Sequence, residues 1–194
     1  MKKEIKLRAA TPNDAIQVAP LIIQAMEDLA AKFVGSQDPY DAIPLFTHFF
    51  KNTENQYSYT HCIVAELDNT IVGSVVGYDG GNLQAYRAPF FDYVLTNYQQ
   101  DFKNQDFGDE TQANEFYIDT VSVSSKHQGY GIGSKLISAI IEKATNEKHK
   151  KVGLLVDIDN PNAKKLYTRI GFTSQGIKNL AGHPYEHLQF TINR

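Results

Sequence analysis

A short glycine-rich segment lies between a stretch with the pattern of a β-strand and a stretch with the pattern of a helix. It reads Gln128-Gly129-Tyr130-Gly131-Ile132-Gly133. Residues 116–123 before it are β-like, and apolar residues after it recur at helical spacing: Ile132, Leu136, Ile140 and Ala144. The first turn of a helix has free N–H groups and a positive dipole end, and glycine lets a ligand approach the backbone closely. The junction therefore predicts an anion site, most naturally for phosphate or pyrophosphate.

Two common phosphate loops do not match this segment. The dinucleotide pattern G-x-G-x-x-G needs a third glycine where Ser134 stands, and a Walker loop ends in Gly-Lys-Ser/Thr, whereas this chain has Gly133-Ser134-Lys135. The pattern that remains is Q-x-x-G-x-G. Taken alone, this segment is equally well interpreted as a glycine-rich turn that only begins a helix.

A second motif follows an apolar, strand-like run at residues 152–157. It reads N-P-N-A-K-K-L-Y-T-R-I-G-F from Asn160 to Phe172. Asn160 suits an N-cap, Pro161 suits the first helical position and Gly171 suits the residue after the helix. The motif therefore predicts a short, well-capped helix. Its Tyr167 either packs in the core or takes part in a functional site.

Together the two motifs resemble those of the GNAT superfamily of N-acetyltransferases, over about residues 115–192. The resemblance implies an α/β sandwich with a central mixed, mostly antiparallel sheet and helices on both faces. It also implies acetyl-CoA as cosubstrate. Tyr167 would then donate a proton to the departing CoA sulfur. The residues that would hold acetyl-CoA through backbone amides or side chains are Val121, Val123, Gln128, Gly129, Tyr130, Gly131, Ile132, Gly133, Ser134 and Asn160.

N-acetylation also needs a base, because an alkyl ammonium has a pKa near ~10.4. Asp119 is the first candidate, since the resembled family often has a carboxylate on the corresponding strand, and Glu115 is the second. The side chain of Asp119 faces the site only if the strand carries a bulge, so a surface or capping role is an equal alternative. Glu115, and Glu27 on the first helix, are predicted to contact the acceptor.

The 194 residues are expected to form a single domain, with an insertion at about 79–114 before the fourth strand. The predicted order is β-α-α-β-β-insertion-β-α-β-α-β-β. The first helix should carry an apolar stripe of Ile16, Ala19, Ile23 and Met26. A hairpin should turn at Asp68-Asn69, and residues 181–184 should join the last two strands. The aromatic, acidic insertion either shapes the acceptor pocket or contacts another subunit.

Composition narrows the possible partners. A net charge of −3 argues against nucleic acid and anionic membranes, and the absence of an 18-residue apolar run argues against a membrane span. The single cysteine, Cys62, fits a reducing cytosol. The six histidines show no metal-ligand spacing, so no metal is expected.

Charge is unevenly distributed along the chain. Residues 126–194 carry eleven Lys/Arg and five Asp/Glu, which suits a phosphate-rich cosubstrate. Residues 79–115 carry two Lys/Arg and seven Asp/Glu. This acidic segment would either attract a cationic acceptor or form an ordinary solvated surface.

The function predicted from the sequence is transfer of an acetyl group from acetyl-CoA to a primary amine of a small molecule or peptide, in a cytoplasmic enzyme. Homodimers are frequent in the resembled family, so a dimer is possible. The alternatives are a non-catalytic acyl-CoA-binding sensor or scaffold and, disfavoured by the loop patterns, a nucleotide-dependent enzyme of another class.

Overall fold

Seven strands form one sheet in the computed structural model, which describes residues 4–193. The order across the sheet is β1-β2-β3-β4-β5-β7-β6. Within the described residues, β4 and β5 pair in parallel and the other neighbours pair antiparallel. The expected mixed, mostly antiparallel sheet is thus confirmed. The strands are β1 (Lys6–Ala9), β2 (Cys62–Leu67), β3 (Thr70–Asp79), β4 (Phe116–Val123), β5 (Lys151–Asp157), β6 (Thr173–Leu180) and β7 (His183–Thr191).

Helices cover both faces of this sheet, as expected. Successive strand residues face opposite sides, so Val64 belongs to one buried cluster and Ala65 to the other. The first four helices pack on the side of Val64, and the last two pack on the side of Ala65. Within residues 4–193, no helix combines the length and apolarity needed to cross a bilayer. The helices are α1 (Ala15–Ala25), α2 (Glu27–Val34), α3 (Ile43–Lys51), α4 (Leu83–Tyr98), α5 (Ile132–Asn146) and α6 (Pro161–Ile170).

The first helical segment differs from its prediction in two ways. The chain leaves helical geometry at Met26, with φ −145° and ψ 43°, so α1 and α2 are separate helices. Ile16 is 72% exposed, and the predicted stripe is wrong at that position. The buried face of α1 includes Val18, Leu21 and Ile22 instead, because this helix lies between the sheet and α3.

The two hairpins follow the expected turn chemistry. Asp68 and Asn69 have φ of 50° and 61°, which is the geometry of the predicted tight turn. The loop that joins the last two strands is shorter than predicted. Strand β7 begins at His183, so its turn consists of Ala181 and Gly182, also at positive φ.

The predicted insertion is largely helical and packs on the sheet. Helix α4 begins at Leu83 and ends at Tyr98. Phe90, Phe91 and Val94 of this helix join the core formed by α1, α2 and α3, and the loop that follows adds Phe102 and Phe107. The aromatic residues of the segment therefore serve chiefly as core.

Candidate active site

The sheet opens between its two parallel strands. Strands β4 and β5 pair only from Phe116↔Val152 to Ile118↔Leu154, although both continue beyond these residues. The two strands diverge after that point. The backbone N–H and C=O groups of β4 that face β5 there have no hydrogen-bond partners on β5. A cavity of about 600 Å³ lies at this opening. Its lining includes Asp119–Val123 of β4, Leu155–Asp157 of β5 and the break between α1 and α2.

A β-bulge places Asp119 at this cavity. In the pairing of β3 with β4, Val76 lies opposite Thr120 and the next residue, Gly77, lies opposite Ile118. Asp119 is therefore the extra residue of the bulge. Its carboxylate lines the cavity, so the bulge that would turn Asp119 towards the site is present.

Hydrogen bonds hold one oxygen of the Asp119 carboxylate. The Tyr78 hydroxyl donates to Oδ2 at 2.9 Å, and Nε2 of Gln56 donates to the same oxygen at 3.5 Å. Burial raises the pKa of Asp119 well above its usual value, and the nearby Glu110 carboxylate raises it further. A carboxylate with a raised pKa is a stronger proton acceptor when it is ionised.

Tyr167 lines the same cavity from α6. Its ring packs edge-on against Phe172, with centroids 5.8 Å apart. Burial raises the pKa of Tyr167 to about 12, so the phenol keeps its proton at neutral pH and acts as a donor. Asn160 begins this helix, and its Oδ1 accepts a hydrogen bond from the Ala163 N–H at 3.1 Å. The predicted N-cap is thus present, and among the described residues the amide nitrogen of Asn160 makes no hydrogen bond.

The glycine loop lies at the surface beside the cavity. Gly129 and Gly131 have φ of 83° and 77°, and a Cβ on either would meet no atom within 4 Å. The first hydrogen bond of α5 runs from the Lys135 N–H to the Gly131 carbonyl, so the N–H groups at the start of the helix have no helical partner. Open space above free amides suits an anionic group.

Comparison with known proteins identifies the family. The model of the Acetyltransferase (GNAT) family matches residues 23–172, which is well over half of the chain. The chain belongs to the GNAT acetyltransferase family. Among the curated proteins, none matches it.

Solved structures of acetyltransferases match nearly the whole chain. A crystal structure of an acetyltransferase is 30% identical, with a TM-score of 0.79, and the match covers 97% of this chain and 100% of the other. An N-acetyltransferase from Staphylococcus aureus Mu50 is 26% identical, with a TM-score of 0.82 and coverage of 95% and 100%. The putative acetyltransferase yncA from Salmonella typhimurium, solved with acetyl-CoA, is 14% identical, with a TM-score of 0.58 and coverage of 98% and 95%, and shows the fold alone.

The cavity brings together half of the fourteen site residues selected from the sequence. Seven of them line the cavity: Glu27, Asp119, Val121, Val123, Gln128, Asn160 and Tyr167. The Val123 carbonyl accepts hydrogen bonds from the side chains of Gln24 and Gln128, at 3.0 and 3.1 Å, so it faces the cavity. The remaining loop residues, 129–134, continue from Gln128 outside the lining.

Glu115 lies elsewhere, contrary to the prediction that it contacts the acceptor. It is fully buried. Its carboxylate accepts from the side chain of Gln189 at 2.7 Å and from the Gln112 N–H at 2.8 Å, and it lies 3.1 Å from Nε2 of His187. A Cβ on Gly153 would come within 2.2 Å of this carboxylate. Glu115 therefore ties the insertion to β7, and its two oxygens have protein partners.

The insertion supplies a buried ion pair that sequence reasoning missed. Arg87 of α4 donates from Nη2 to Glu110 at 3.0 Å and from Nη1 to the Gly108 carbonyl at 2.9 Å. The guanidinium centre also lies 5.6 and 5.1 Å from the ring centroids of Phe91 and Phe107. Arg87 and Glu110 both line the cavity. This pair fixes the loop after α4 against the site.

Three acidic or basic groups also meet at the rim of the GNAT cavity. Candidate ligand atoms of Asp157, Asp159 and His183 lie within 4.8 Å of one another. His183 Nε2 is 3.1 Å from the Asp157 carboxylate, which accounts for their proximity as an ion pair or hydrogen bond. The expectation that no metal is needed stays a prediction.

Proposed function

We propose that this GNAT protein transfers the acetyl group of acetyl-CoA to a positively charged primary amine. The observation that carries the proposal is a single cavity with a carboxylate, Asp119, on β4 and a protonated phenol, Tyr167, on α6. Acyl transfer to an amine needs both a proton acceptor for the nitrogen and a proton donor for the leaving sulfur.

The chain offers a matching place for each part of acetyl-CoA. The free amides of the glycine loop suit the pyrophosphate, and the eleven Lys/Arg of residues 126–194 favour a polyanion. The backbone of Val121 and Val123, exposed where β4 leaves β5, suits the amides of the pantetheine arm. The thioester then lies in the cavity, between the bulge and α6.

Asp119 accepts the protons that the nitrogen loses, first in becoming a neutral nucleophile and again when the N–C bond has formed. Solvent returns the carboxylate to its ionised form between these steps. Tyr167 donates its hydroxyl proton to the sulfur as the C–S bond breaks and recovers a proton from water. The overall reaction converts an ammonium and a thioester into an amide and a thiol, with one proton released.

The charge of the cavity favours a cationic acceptor. Among the described residues that line it, Arg87 is the one basic side chain, and it already pairs with Glu110. Carboxylates in a partly enclosed space raise the local concentration of cations. The lining contains six carboxylic side chains: Glu27, Asp28, Glu110, Asp119, Asp157 and Asp159.

A screen of primary amines for thiol release from acetyl-CoA tests the proposal. The panel contains polyamines, neutral amino acids and short peptides, and we expect turnover to be fastest with the cationic amines. A protein that is stabilised against melting by acetyl-CoA but releases no thiol with any amine is an acyl-CoA sensor and not an enzyme. Stabilisation by ATP or NAD in place of acetyl-CoA would contradict the assignment of the loop.

A further inference from the structure

The loop after α4 brings a second buried carboxylate to the cavity. Glu110 is 7% exposed and lines the cavity with Asp119. Arg87 donates to one oxygen of Glu110, Oε1, at 3.0 Å. The other oxygen, Oε2, has no hydrogen-bond partner among the described residues, and it is in contact with solvent, unlike the Nε of Arg87. A ligand in the cavity can therefore reach Oε2 of Glu110.

The hydroxyl of Tyr117 is a second open group beside this carboxylate. Tyr117 lies on β4, is 3% exposed and lines the cavity. Within the described part of the chain its Oη makes no hydrogen bond, and this oxygen is also in contact with solvent. Burial raises the pKa of Tyr117, and the charges of Glu110 and Asp119 raise it further, so the three side chains lie near one another. The phenol keeps its proton at neutral pH, and its oxygen accepts a hydrogen bond.

The positive charges around Glu110 compensate its burial only in part. Burial raises the pKa of Glu110 above its usual value, although Arg87 and Lys178 both lower it. A buried carboxylate in this state is stabilised by a further cation. An ionised carboxylate only accepts hydrogen bonds, and those from a charged donor are the strongest. The group that best fits Oε2 is therefore a cation with N–H donors.

We propose that the acceptor is a diamine whose second ammonium group binds Oε2 of Glu110 and Oη of Tyr117; this rests on the proposed function. The reacting nitrogen loses a proton to Asp119 and attacks as a neutral amine, whereas the second nitrogen stays protonated throughout. Its N–H groups donate to Glu110 and Tyr117. A monoamine of the same length offers these two oxygens no charged donor.

The competing explanation is that Glu110 only holds the loop after α4 through Arg87. Loss of that role would slow all acceptors alike, whereas loss of an acceptor contact would slow diamines alone. The two explanations therefore differ in the ratio of kcat/KM between a diamine and the amino alcohol of the same length, in which a hydroxyl replaces the second ammonium. Glu110 also adds to the raised pKa that burial gives Asp119, but this influence is common to both acceptors and cancels in the ratio.

The test compares Glu110→Gln with a matched control, Asp109→Asn. Glu110→Gln keeps an oxygen for Arg87 and removes the charge. Asp109 also lies beside Arg87, with Oδ1 3.6 Å from Nη1, but its side chain is 67% exposed and lies outside the cavity lining. The wild type should prefer the best diamine over its amino alcohol by about tenfold or more, and Glu110→Gln should lower this ratio about tenfold. Asp109→Asn should leave it unchanged. An unchanged ratio in a folded Glu110→Gln protein would overturn the inference.

A second variant keeps the inference testable if Glu110→Gln does not fold. Tyr117→Phe keeps the ring and removes the oxygen, so KM for the diamine should rise about threefold while KM for acetyl-CoA stays unchanged. An unchanged KM for the diamine in this variant would contradict the inference. A wild type that acetylates amino alcohols as fast as diamines would reject the inference and leave the proposed function standing. Absence of turnover with every amine is a different result, and it would reject the proposed function itself.

Discussion

The two halves of the candidate site differ in how the sequence encodes them. The half assigned to acetyl-CoA consists of the end of β4, the glycine loop and α6, all within residues 121–171, and its loop and helix are mostly exposed. The half assigned to the acceptor is buried and is assembled from the break after α1, Gln56, α4, the loop with Glu110, and the bulge in β4. A site for a phosphate-rich group needs free backbone amides at a helix start, which a short motif can specify. A site for a particular amine needs side chains that only the folded chain brings together.

The largest expected effect concerns the exposed half. Gly131→Asp places a negative charge where we assign the pyrophosphate, so acetyl-CoA binding should be abolished. The matched control is Gly182→Asp, because Gly182 also has a positive φ, 80°, and open space at its Cβ. In a melting assay at about a hundredfold excess over Kd, wild type and Gly182→Asp should gain about 2.7 kcal/mol, and Gly131→Asp should gain none. Equal stabilisation of all three proteins would show that the loop does not bind the ligand.

The next effect concerns the buried half. Asp119→Asn removes the proton acceptor and should lower kcat/KM by about 10³-fold, within the usual range for a general base. Asp92→Asn, which changes an exposed carboxylate of α4, serves as the control and should keep full activity. If Asp119→Asn acetylates amines at the wild-type rate, another group or water accepts the proton.

The same substitution should stabilise the fold. The folded protein holds the pKa of Asp119 above its unfolded value, so the folded state binds more protons between these two values. The stability of the wild type therefore falls as pH rises through this window. Asp119→Asn should have the higher Tm at neutral pH, and the difference should disappear at pH values below the ordinary carboxyl pKa. A lower Tm at neutral pH would contradict the proposed electrostatic cost.

Tyr167 lines the cavity between the two halves. Loss of its hydroxyl should lower the rate less than loss of the Asp119 carboxylate. Tyr167→Phe keeps the ring against Phe172 and removes the donor, so kcat should fall about 10²-fold with KM for acetyl-CoA nearly unchanged. Tyr93→Phe, outside the cavity, is the control. Steady-state kinetics on a confirmed acceptor decides the matter, and undiminished activity would make Tyr167 a packing residue.

The smallest effect is that of charge at the cavity mouth. Glu27→Gln should lower kcat/KM for a cationic amine a few-fold, and higher salt should do the same to the wild type, because exposed charges are screened over about 8–10 Å. Glu147→Gln, at the residue that follows α5, should change neither value. The check is kcat/KM at two ionic strengths, for a cationic and a neutral acceptor. Equal salt dependence for both acceptors would remove the electrostatic argument for a cationic substrate.

The sequence predicted the parts of the molecule that local chemistry determines. The positions of the strands along the chain, the turn at Asp68-Asn69 and the N-cap at Asn160 depend on residues close in the chain, whereas the break that divides the first predicted helix at Met26 was not predicted. The spacing of apolar residues predicted wrongly that Ile16 is buried. Helix α1 packs against both the sheet and α3, so it does not present the single apolar face that this spacing assumes.

The acceptor half was not predictable in the same way. Gln56 is one of many glutamines until the fold places it next to Asp119, 63 residues further along the chain. Glu115 was selected for its place at the start of a strand, but its role depends on His187 and Gln189 of β7. The bulge that directs Asp119 arises from its pairing with β3, which leaves no signal in β4 alone.

The most direct test of the account measures both products of one reaction. Wild-type protein, acetyl-CoA and the best cationic primary amine are mixed, the free thiol is titrated, and the acetylated amine is quantified by mass spectrometry. The account predicts equal amounts of thiol and N-acetylated amine in the wild type, and a parallel loss of both in Asp119→Asn. Thiol released without acetylated amine, or equal product from wild type and Asp119→Asn, would contradict it.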